Sequence, residues 1–294
     1  MRKVLSFFLA AFCCLNLFAG CGSAEPSATG ETAAPTTETQ EMTTMPTEKK
    51  TLSVLFIGNS YTFYNDMPVA YFQVMANACG YDLQVASITK GAYTLEKFAD
   101  PTDSYGKQVA QALSVPGTFD YVILQEQSAR PAIDTVPQFY DGVRKLAALA
   151  REMGAQPVLY ATWGREEGSD TLEKYSLTNE SMTWKLAAAY GAIGAELDIP
   201  VMQVGLAFYD IYTNNHHIGL YNTDHSHPSA VGSYLAAMML FCGIFDVDPR
   251  EAAFSGPVRA EEDAIIREAA YHALFETPAI PEEYQTTSQN VTAG

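Results

Sequence analysis

The chain has 294 residues and a formal net charge of −17, and 48% of its residues are hydrophobic. This composition is typical of a globular protein and excludes collagen-like, disordered and disulfide-scaffold chains. The surplus of acidic groups would repel nucleic-acid phosphates and anionic lipid headgroups, so we expect no nucleic-acid partner and no electrostatic adsorption to membranes. Four of the five histidines fall within twelve residues of one another: His216, His217, His225 and His227.

The first 50 residues carry signals for export. A basic start and a short apolar run lead to Ala-Gly-Cys, and this pattern resembles the processing site of bacterial lipoproteins. We expect a signal peptide over residues 1–20, acylation of Cys21, and a disordered tether rich in Thr, Glu and Pro over residues 21–50. This predicts an extracytoplasmic protein that is held at the bacterial cell membrane only by a lipid anchor, with plain secretion as the alternative.

Residues 51–280 alternate short apolar runs with longer segments of helical period. The predicted strands are Leu52–Ile57, Leu83–Ile88, Tyr121–Leu124, Pro157–Ala161 and Pro200–Val204. The predicted helices are Met67–Cys79, Tyr105–Leu113, Val136–Met153, Ser181–Leu197, Pro228–Phe245 and Arg259–Phe275. This alternation predicts one α/β domain, a three-layer α/β/α sandwich around a five-stranded parallel sheet. Residues 281–294 are polar, and we expect them to form a flexible tail.

Polar residues and glycine follow four of the predicted strands, in residues 58–62, 89–91, 125–128 and 162–164. A fifth polar segment, residues 222–228, precedes a predicted helix. Open parallel sheets bind ligands outside the carboxyl ends of their strands. We therefore expect a functional site at this edge.

Ser60 is the candidate nucleophile at this edge, because it follows the first buried strand. A serine hydroxyl needs a base to take its proton and an acid to orient that base. Asp224 and His227 offer both, since a tight turn lets Asp224 hold Nδ1 of His227 while Nε2 faces Ser60. These residues predict nucleophilic catalysis by a serine, with His227 as base and Asp224 as its orienting acid.

Two other interpretations of these residues stay open. Gly-Asn-Ser is ordinary turn sequence, so Ser60 could be only a turn residue or a helix cap. The four histidines could bind zinc with Asp224. No Cys or Glu lies beside them at ligand spacing, and no two histidines are spaced i, i+4 on a helix, so we expect no metal and no cofactor. His225 is interpreted as an exposed loop residue.

The ordered set of motifs resembles the SGNH/GDSL hydrolase superfamily, and within it an uncharacterised bacterial lipoprotein branch with a Gly-Asn-Ser opening block. The motifs are Gly58-Asn59-Ser60, Gly91, Gln125-Glu126-Gln127-Ser128 and Asp224-His225-Ser226-His227. The resemblance implies a flavodoxin-like sandwich and ester hydrolysis through a serine acyl-enzyme without metal. It also implies an oxyanion hole formed by the backbone N–H groups of Ser60 and Gly91 and a side-chain amide. Gln127 takes the place of the family's asparagine, and Gln125 is the rival donor.

Four further residues at this edge are candidate substrate contacts: Asn59, Tyr61, Glu126 and Trp163. Flat aromatic faces suit sugar rings or acyl groups, although tyrosines in such a domain also fill the core. A solvated loop charge is the alternative role for Glu126. Arg130 and Arg165 are among the few cations near this edge, and either could meet a carboxylate on an acidic sugar.

The predicted function is that of a monomeric serine esterase that removes acyl groups, acetyl in particular, from a small-molecule or polysaccharide ester. The expectation of a carbohydrate substrate rests on the expected surface location, on the aromatic residues and on the activities that are common in the family. A non-catalytic glycan-binding protein on the same fold is the first alternative. A lipase or thioesterase that acts on long acyl chains is the second.

Overall fold

The computed structural model describes residues 51–133 and 135–289, with side chains described as far as residue 285. The predicted signal peptide, the acylation site Cys21, the tether and the last five residues of the tail lie outside the described residues.

Five parallel strands form one sheet in the order β2-β1-β3-β4-β5. Their bounds are β1 Leu52–Gly58, β2 Leu83–Thr89, β3 Tyr121–Leu124, β4 Gln156–Ala161 and β5 Val201–Gln203. The register pairs Gly58 with Thr89 and Ile57 with Leu124, so the carboxyl ends of β1, β2 and β3 are neighbours at one edge. The predicted five-stranded parallel sheet in an α/β fold is confirmed.

Helices separate and cover the strands. They are α1 Ser60–Phe63, α2 Val74–Ala78, α3 Leu95–Phe98, α4 Ser104–Ala112, α5 Val136–Glu152, α6 Asp170–Tyr175, α7 Asn179–Leu197, α8 Val204–Asn214, α9 Ala230–Phe245, α10 Ala260–Phe275 and α11 Glu282–Gln289. Short 3₁₀ turns occupy Tyr64–Asp66, Arg130–Ala132 and Pro249–Glu251, and a π-helical segment occupies Met67–Gln73. Among the described residues, no helix combines the length and apolar character needed to cross a membrane.

The sheet separates two hydrophobic cores. Alternate residues of β1 enter different cores: Val54 and Phe56 pack in the core that contains α9, and Leu55 and Ile57 pack in the core that contains α5. Side chains alternate between the two faces of a strand, so a strand buried on both faces has a continuous apolar sequence. This explains why the central strands could be recognised from sequence.

The end of the fifth strand differs from the prediction. β5 stops at Gln203, and α8 begins at Val204 without a connecting loop. The apolar run continues from strand into helix, so hydrophobicity alone did not mark the change. Gly205 permits the junction, because a Cβ there would lie 2.3 Å from the Thr162 carbonyl oxygen.

Two other predicted segments also differ in the structure. The helix predicted over Met67–Cys79 is π-helical to Gln73 and α-helical only over α2, and left-handed residues Asn65 and Asp66 precede it. The predicted flexible tail begins instead with α11, which contacts α7. The polar sequence therefore did not indicate the helix in this terminal segment.

Candidate active site

Ser60, His227 and Asp224 lie in one hydrogen-bonded row. Ser60 Oγ is 2.8 Å from His227 Nε2, and His227 Nδ1 is 2.5 Å from Asp224 Oδ2. The His227 side chain is 25% exposed and that of Asp224 is 45% exposed, so the row is open to solvent. In this arrangement an imidazole can take the proton of a hydroxyl while a carboxylate fixes its tautomer. The structure thus brings together the three residues that the sequence paired.

The turn between β1 and α1 is braced by Asn59, which caps α1. Its Oδ1 accepts a hydrogen bond from Tyr61 N–H at 3.2 Å, and its Nδ2 donates to the Tyr93 carbonyl at 3.1 Å. Ser60 is the first residue of the helix, where N–H groups have no acceptor within the helix. Asn59 is only 2% exposed, so the structure places this candidate substrate contact inside the turn.

Gln125 supports the same turn from inside the protein. Its Oε1 accepts hydrogen bonds from Asn59 N–H at 2.9 Å and from Thr62 Oγ1 at 2.8 Å, and its amide nitrogen donates to the Glu126 carbonyl. The side chain is fully buried. Gln125 is therefore enclosed by the protein, with its amide oxygen and one amide hydrogen bonded internally, and Gln127 is the better placed of the two candidate donors.

The loop that carries Asp224 and His227 is held by the same carboxylate that orients the imidazole. Asp224 Oδ1 accepts hydrogen bonds from Ser226 N–H at 3.1 Å and from His227 N–H at 2.9 Å, and His225 between them is left-handed with φ of 57°. Partial burial acts to raise the pKa of the Asp224 carboxyl, but the hydrogen bonds from His227 and Ser226 outweigh it and lower that pKa. Asp224 is therefore held in the ionised form that stabilises an imidazolium.

Buried aromatic side chains form the floor beneath this loop. Trp163 stacks between Tyr61 and Phe208, with ring centroids 4.6 and 4.1 Å away. Trp163 Nε1 donates to the Ser226 carbonyl at 3.1 Å, and Tyr61 Oη lies 2.8 Å from Ser226 Oγ. Tyr61 is 3% exposed and Trp163 is fully buried, so the structure places both candidate substrate contacts beneath the loop rather than at the surface. They position the loop instead.

The partly exposed Tyr64 is an aromatic residue that contacts the row of Ser60, His227 and Asp224. Its ring stacks on the His227 imidazole at a centroid distance of 4.1 Å and an interplanar angle of 11°. The neighbouring Asn65 donates from Nδ2 to the Pro228 carbonyl at 3.0 Å and to Ser233 Oγ at 2.9 Å. The segment after Ser60 is thereby tied to the segment after His227. Sequence gave no signal for this link, because 163 positions separate Asn65 from Pro228.

Glu126 is buried, contrary to both of its predicted roles as a substrate contact or a solvated loop charge. Its Oε1 accepts from Gln127 N–H at 2.6 Å, and its Oε2 accepts from Leu95 N–H at 3.1 Å. Burial raises the pKa of this carboxyl to about 7, although the two backbone hydrogen bonds oppose the rise. Glu126 therefore connects the loop after β2 to the loop after β3.

The three predicted oxyanion donors follow adjacent strands. Gly58 and Thr89 are paired in the register of β1 and β2. Ser60 lies two residues after Gly58, and Gly91 lies two residues after Thr89. Within the described residues, Gly91 N–H has no hydrogen-bond acceptor. Gln127 is held by its Oε1, which accepts from Ala129 and Arg130 N–H at 3.0 and 3.2 Å, and its amide nitrogen has no acceptor among the described residues. The amide of Gln127 is therefore oriented and free to donate.

His225 and His216 have partners away from the row of Ser60, His227 and Asp224. His225 is exposed, as expected, and its Nδ1 lies 2.8 Å from Glu166 Oε2. Glu166 N–H donates to the His225 carbonyl at 3.0 Å, so the segment after β4 is bound to the Asp224 loop. His216 packs edge-on against Tyr212, with ring centroids 4.8 Å apart.

Comparisons with known proteins agree with this fold. No protein-family model and no curated protein matches the sequence. The structure matches a protein from Slackia heliotrinireducens described as "a putative SGNH hydrolase", with 28% identity and a TM-score of 0.56 over 65% of this chain and 98% of that one. It also matches a DUF4886 family protein from Bacteroides uniformis, with 18% identity and a TM-score of 0.63 over 80% of this chain and 99% of that one. The fold is that of SGNH hydrolases.

Proposed function

We propose that the protein is a serine esterase that hydrolyses acyl esters, acetyl esters of carbohydrate in particular, through Ser60, His227 and Asp224. The observation that carries the proposal is the continuous row from Ser60 Oγ through His227 to the Asp224 carboxylate. The similarity to an SGNH hydrolase at 28% identity supports hydrolytic chemistry in general.

The reaction begins when His227 Nε2 takes the proton of Ser60 Oγ and the oxygen attacks the ester carbonyl carbon. The carbonyl becomes an oxyanion, and the Asp224 carboxylate stabilises the imidazolium. Collapse of the tetrahedral intermediate breaks the bond to the alcohol, which leaves with the proton from His227. A water molecule, deprotonated by His227, then attacks the acyl-serine. The second tetrahedral intermediate breaks its bond to Ser60 Oγ, which takes the proton back from His227, and the acid is released. No metal or cofactor takes part in this proposed scheme.

The oxyanion is stabilised by backbone N–H of Ser60 and Gly91 and by the amide of Gln127. Preorganised donors of this type act most strongly where negative charge develops, and losing one costs about 10²- to 10³-fold in kcat. The hydrogen bonds that Gln127 accepts through Oε1 fix the direction of its amide nitrogen. Glutamine thereby supplies the donor that asparagine supplies in the family.

An extracytoplasmic, lipid-anchored location belongs to this proposal and rests on the N-terminal sequence alone. The carbohydrate substrate is supported by the partial exposure of the catalytic row, which leaves room for a large alcohol. The partly exposed Tyr64 offers an aromatic edge beside His227. Tyr61 and Trp163 no longer support a sugar site, because both are buried.

Hydrolysis of p-nitrophenyl acetate by the full-length protein tests the esterase activity. We expect wild type to hydrolyse the ester and Ser60→Ala and His227→Ala to lose at least about 10³-fold in kcat/KM. Ser114→Ala is the matched control, because Ser114 is an exposed serine on the helix-terminal loop after α4. Labelling with a fluorophosphonate and peptide mass analysis should find the adduct on Ser60.

Equal rates for wild type and Ser60→Ala, with all variants folded by circular dichroism, would contradict the proposal. The non-catalytic glycan-binding protein would then be the preferred proposal for this edge of the sheet. Loss of activity in a chelator and its recovery with zinc would instead favour the metal alternative.

A further inference from the structure

A second group of side chains lines a cleft of about 400 Å³ that contains none of the catalytic row. Arg130 lies in the 3₁₀ turn after β3, Arg165 lies in the segment after β4, and Lys174 lies in α6. The volume falls within the range of small-molecule sites. Three cations in one cleft are unexpected, because the chain has only 17 Lys and Arg residues and a net charge of −17.

The cations in this cleft are only partly neutralised by the protein. Arg165 donates to two hydroxyl groups, Thr171 Oγ1 at 2.6 Å and Ser128 Oγ at 3.0 Å. Within the described part of the chain, the ion pairs within 4.0 Å include none for Arg165 or Lys174, and Arg130 pairs with the half-exposed Glu96 at 3.2 Å.

The Nε atoms of Arg130 and Arg165 are buried and have no hydrogen-bond partner among the described residues. Buried polar groups without a partner are rare in folded proteins, and each calls for a specific explanation. Because protein atoms enclose these two nitrogens, they do not face the cleft, and it is the charges of Arg165 and Lys174, which no carboxylate pairs with in the described residues, that suit the cleft to an anion.

The cationic cleft borders the proposed oxyanion hole. Gln127, the proposed side-chain donor, lines it, and so does Ala92, the residue after Gly91. Ser128 Oγ accepts from Arg165 and follows Gln127 directly. Burial raises the pKa of the Tyr61 hydroxyl and the charge of Arg165 opposes that rise, so this charge acts on the residue after Ser60. The cleft is therefore within reach of a substrate whose carbonyl meets Gln127.

We infer that the cationic cleft binds a carboxylate carried by the ester substrate, and that the substrate class is acetylated carbohydrate containing uronic acid. The inference rests on the proposed esterase function for the reacting group. Guanidinium groups bind carboxylates through paired, charge-assisted hydrogen bonds, whereas a lysine contributes a mobile point charge. Arg130, Arg165 and Lys174 supply both kinds of donor.

Tyr175 favours a sugar as the bearer of the carboxylate. It lines the same cleft, is 38% exposed, and has Lys174 Nζ 4.8 Å from its ring centroid. An exposed aromatic side chain offers an apolar face to a sugar ring while its hydroxyl stays in water. An acyl group that ends in a carboxylate would bind the cations but would have no sugar ring to pack against Tyr175.

Binding can be tested without catalysis. Isothermal titration of the full-length Ser60→Ala protein with trigalacturonic acid is compared with titration by its methyl ester, which has the same sugars without charge. We expect the acid to bind about tenfold more tightly at low salt, and this preference to shrink in added salt. Arg165→Gln and the exposed Lys174→Gln should each reduce the preference, and Lys107→Gln, an exposed lysine on α4, is the matched control.

Kinetics on wild type then separates this inference from the esterase proposal. The ratio of kcat/KM for acetylated oligogalacturonate to that for acetylated xylo-oligosaccharide should fall about tenfold in Arg165→Gln. Ester hydrolysis with equal binding of acid and methyl ester would overturn the cleft assignment and leave the esterase intact. Charge-dependent binding without any hydrolysis would support the cleft and refute the esterase. A preference for p-nitrophenyl succinate over p-nitrophenyl acetate, with none for uronate, would overturn the uronic acid substrate.

Discussion

Glu126 gives the sharpest test of how the loops behind the active site are held. Its carboxyl is buried, and burial raises its pKa from 4.5 to about 7. Between these two pH values the folded protein keeps the proton and the unfolded chain releases it. The stabilising contribution is therefore complete below about pH 4.5 and is lost as the pH rises through about 7. Each pKa unit corresponds to about 1.4 kcal/mol, so the loss amounts to about 3 kcal/mol.

Glu126→Gln removes this titration while keeping the shape of the side chain. The free energy of unfolding of wild type minus that of the variant should therefore decrease by about 3 kcal/mol between pH 4.5 and pH 8. Urea unfolding followed by far-ultraviolet circular dichroism at several pH values measures this difference. Glu152→Gln, at an exposed position of α5, controls for the loss of one surface carboxylate. A difference that stays constant within about 1 kcal/mol would refute the reasoning.

The same substitution tests whether Glu126 positions the oxyanion loops. An amide has one acceptor oxygen where the carboxylate has two, so either Leu95 N–H or Gln127 N–H loses its acceptor. We expect kcat for p-nitrophenyl acetate at pH 8 to fall about tenfold with little change in KM, because the shifted Gln127 would stabilise the transition state less well. An unchanged kcat in a folded variant would argue against this positioning role.

Three further substitutions probe the catalytic row and its support, each by steady-state hydrolysis of p-nitrophenyl acetate. Asp224→Asn should lower kcat about 10³- to 10⁴-fold, because His227 loses the carboxylate that fixes its tautomer, and a smaller loss would show that another group orients the ring. Gln127→Glu keeps the acceptor oxygen but removes the amide donor, so kcat should fall about 10²- to 10³-fold; a normal kcat would exclude Gln127 from the oxyanion hole. Gly58→Ala would place a Cβ 2.7 Å from Gln125 Oε1, and urea unfolding should show a loss of about 1–3 kcal/mol together with lower activity. Wild-type stability in that variant would mean that the turn is less tightly packed than the structure indicates.

The strands of this fold and the pairing of Asp224 with His227 could be predicted because each has a local signature. The central strands are apolar throughout since the sheet is covered on both faces, and the turn that brings Asp224 to His227 needs only the three-residue spacing between them. The start of α8 could not be predicted, because the apolar run crosses from β5 into the helix without a break.

Burial of polar and aromatic side chains at the site was the part that sequence could not provide. Glu126 and Gln125 stand beside Gln127 in one motif, yet only Gln127 is partly exposed. Their surroundings come from distant segments, such as Leu95 for Glu126 and Asn59 for Gln125. Trp163 is covered by Phe208 and Tyr61. Neither the periodicity nor the composition of the sequence indicates that these three residues are in contact. The positions of such residues depend on tertiary contacts rather than on local pattern.

The attachment of Trp163 to the Ser226 carbonyl gives the molecule an intrinsic optical reporter. The chain has two tryptophans, and one of them, fully buried, donates its indole N–H to the residue next to His227. Indole emission depends on solvent access and on this hydrogen bond. Detachment of the Asp224 loop would therefore alter the emission spectrum even while the sheet stays folded. Trp184, on α7, provides a second signal away from this contact. Replacing Trp184 with Phe would leave a single fluorophore whose emission follows the integrity of the active-site floor.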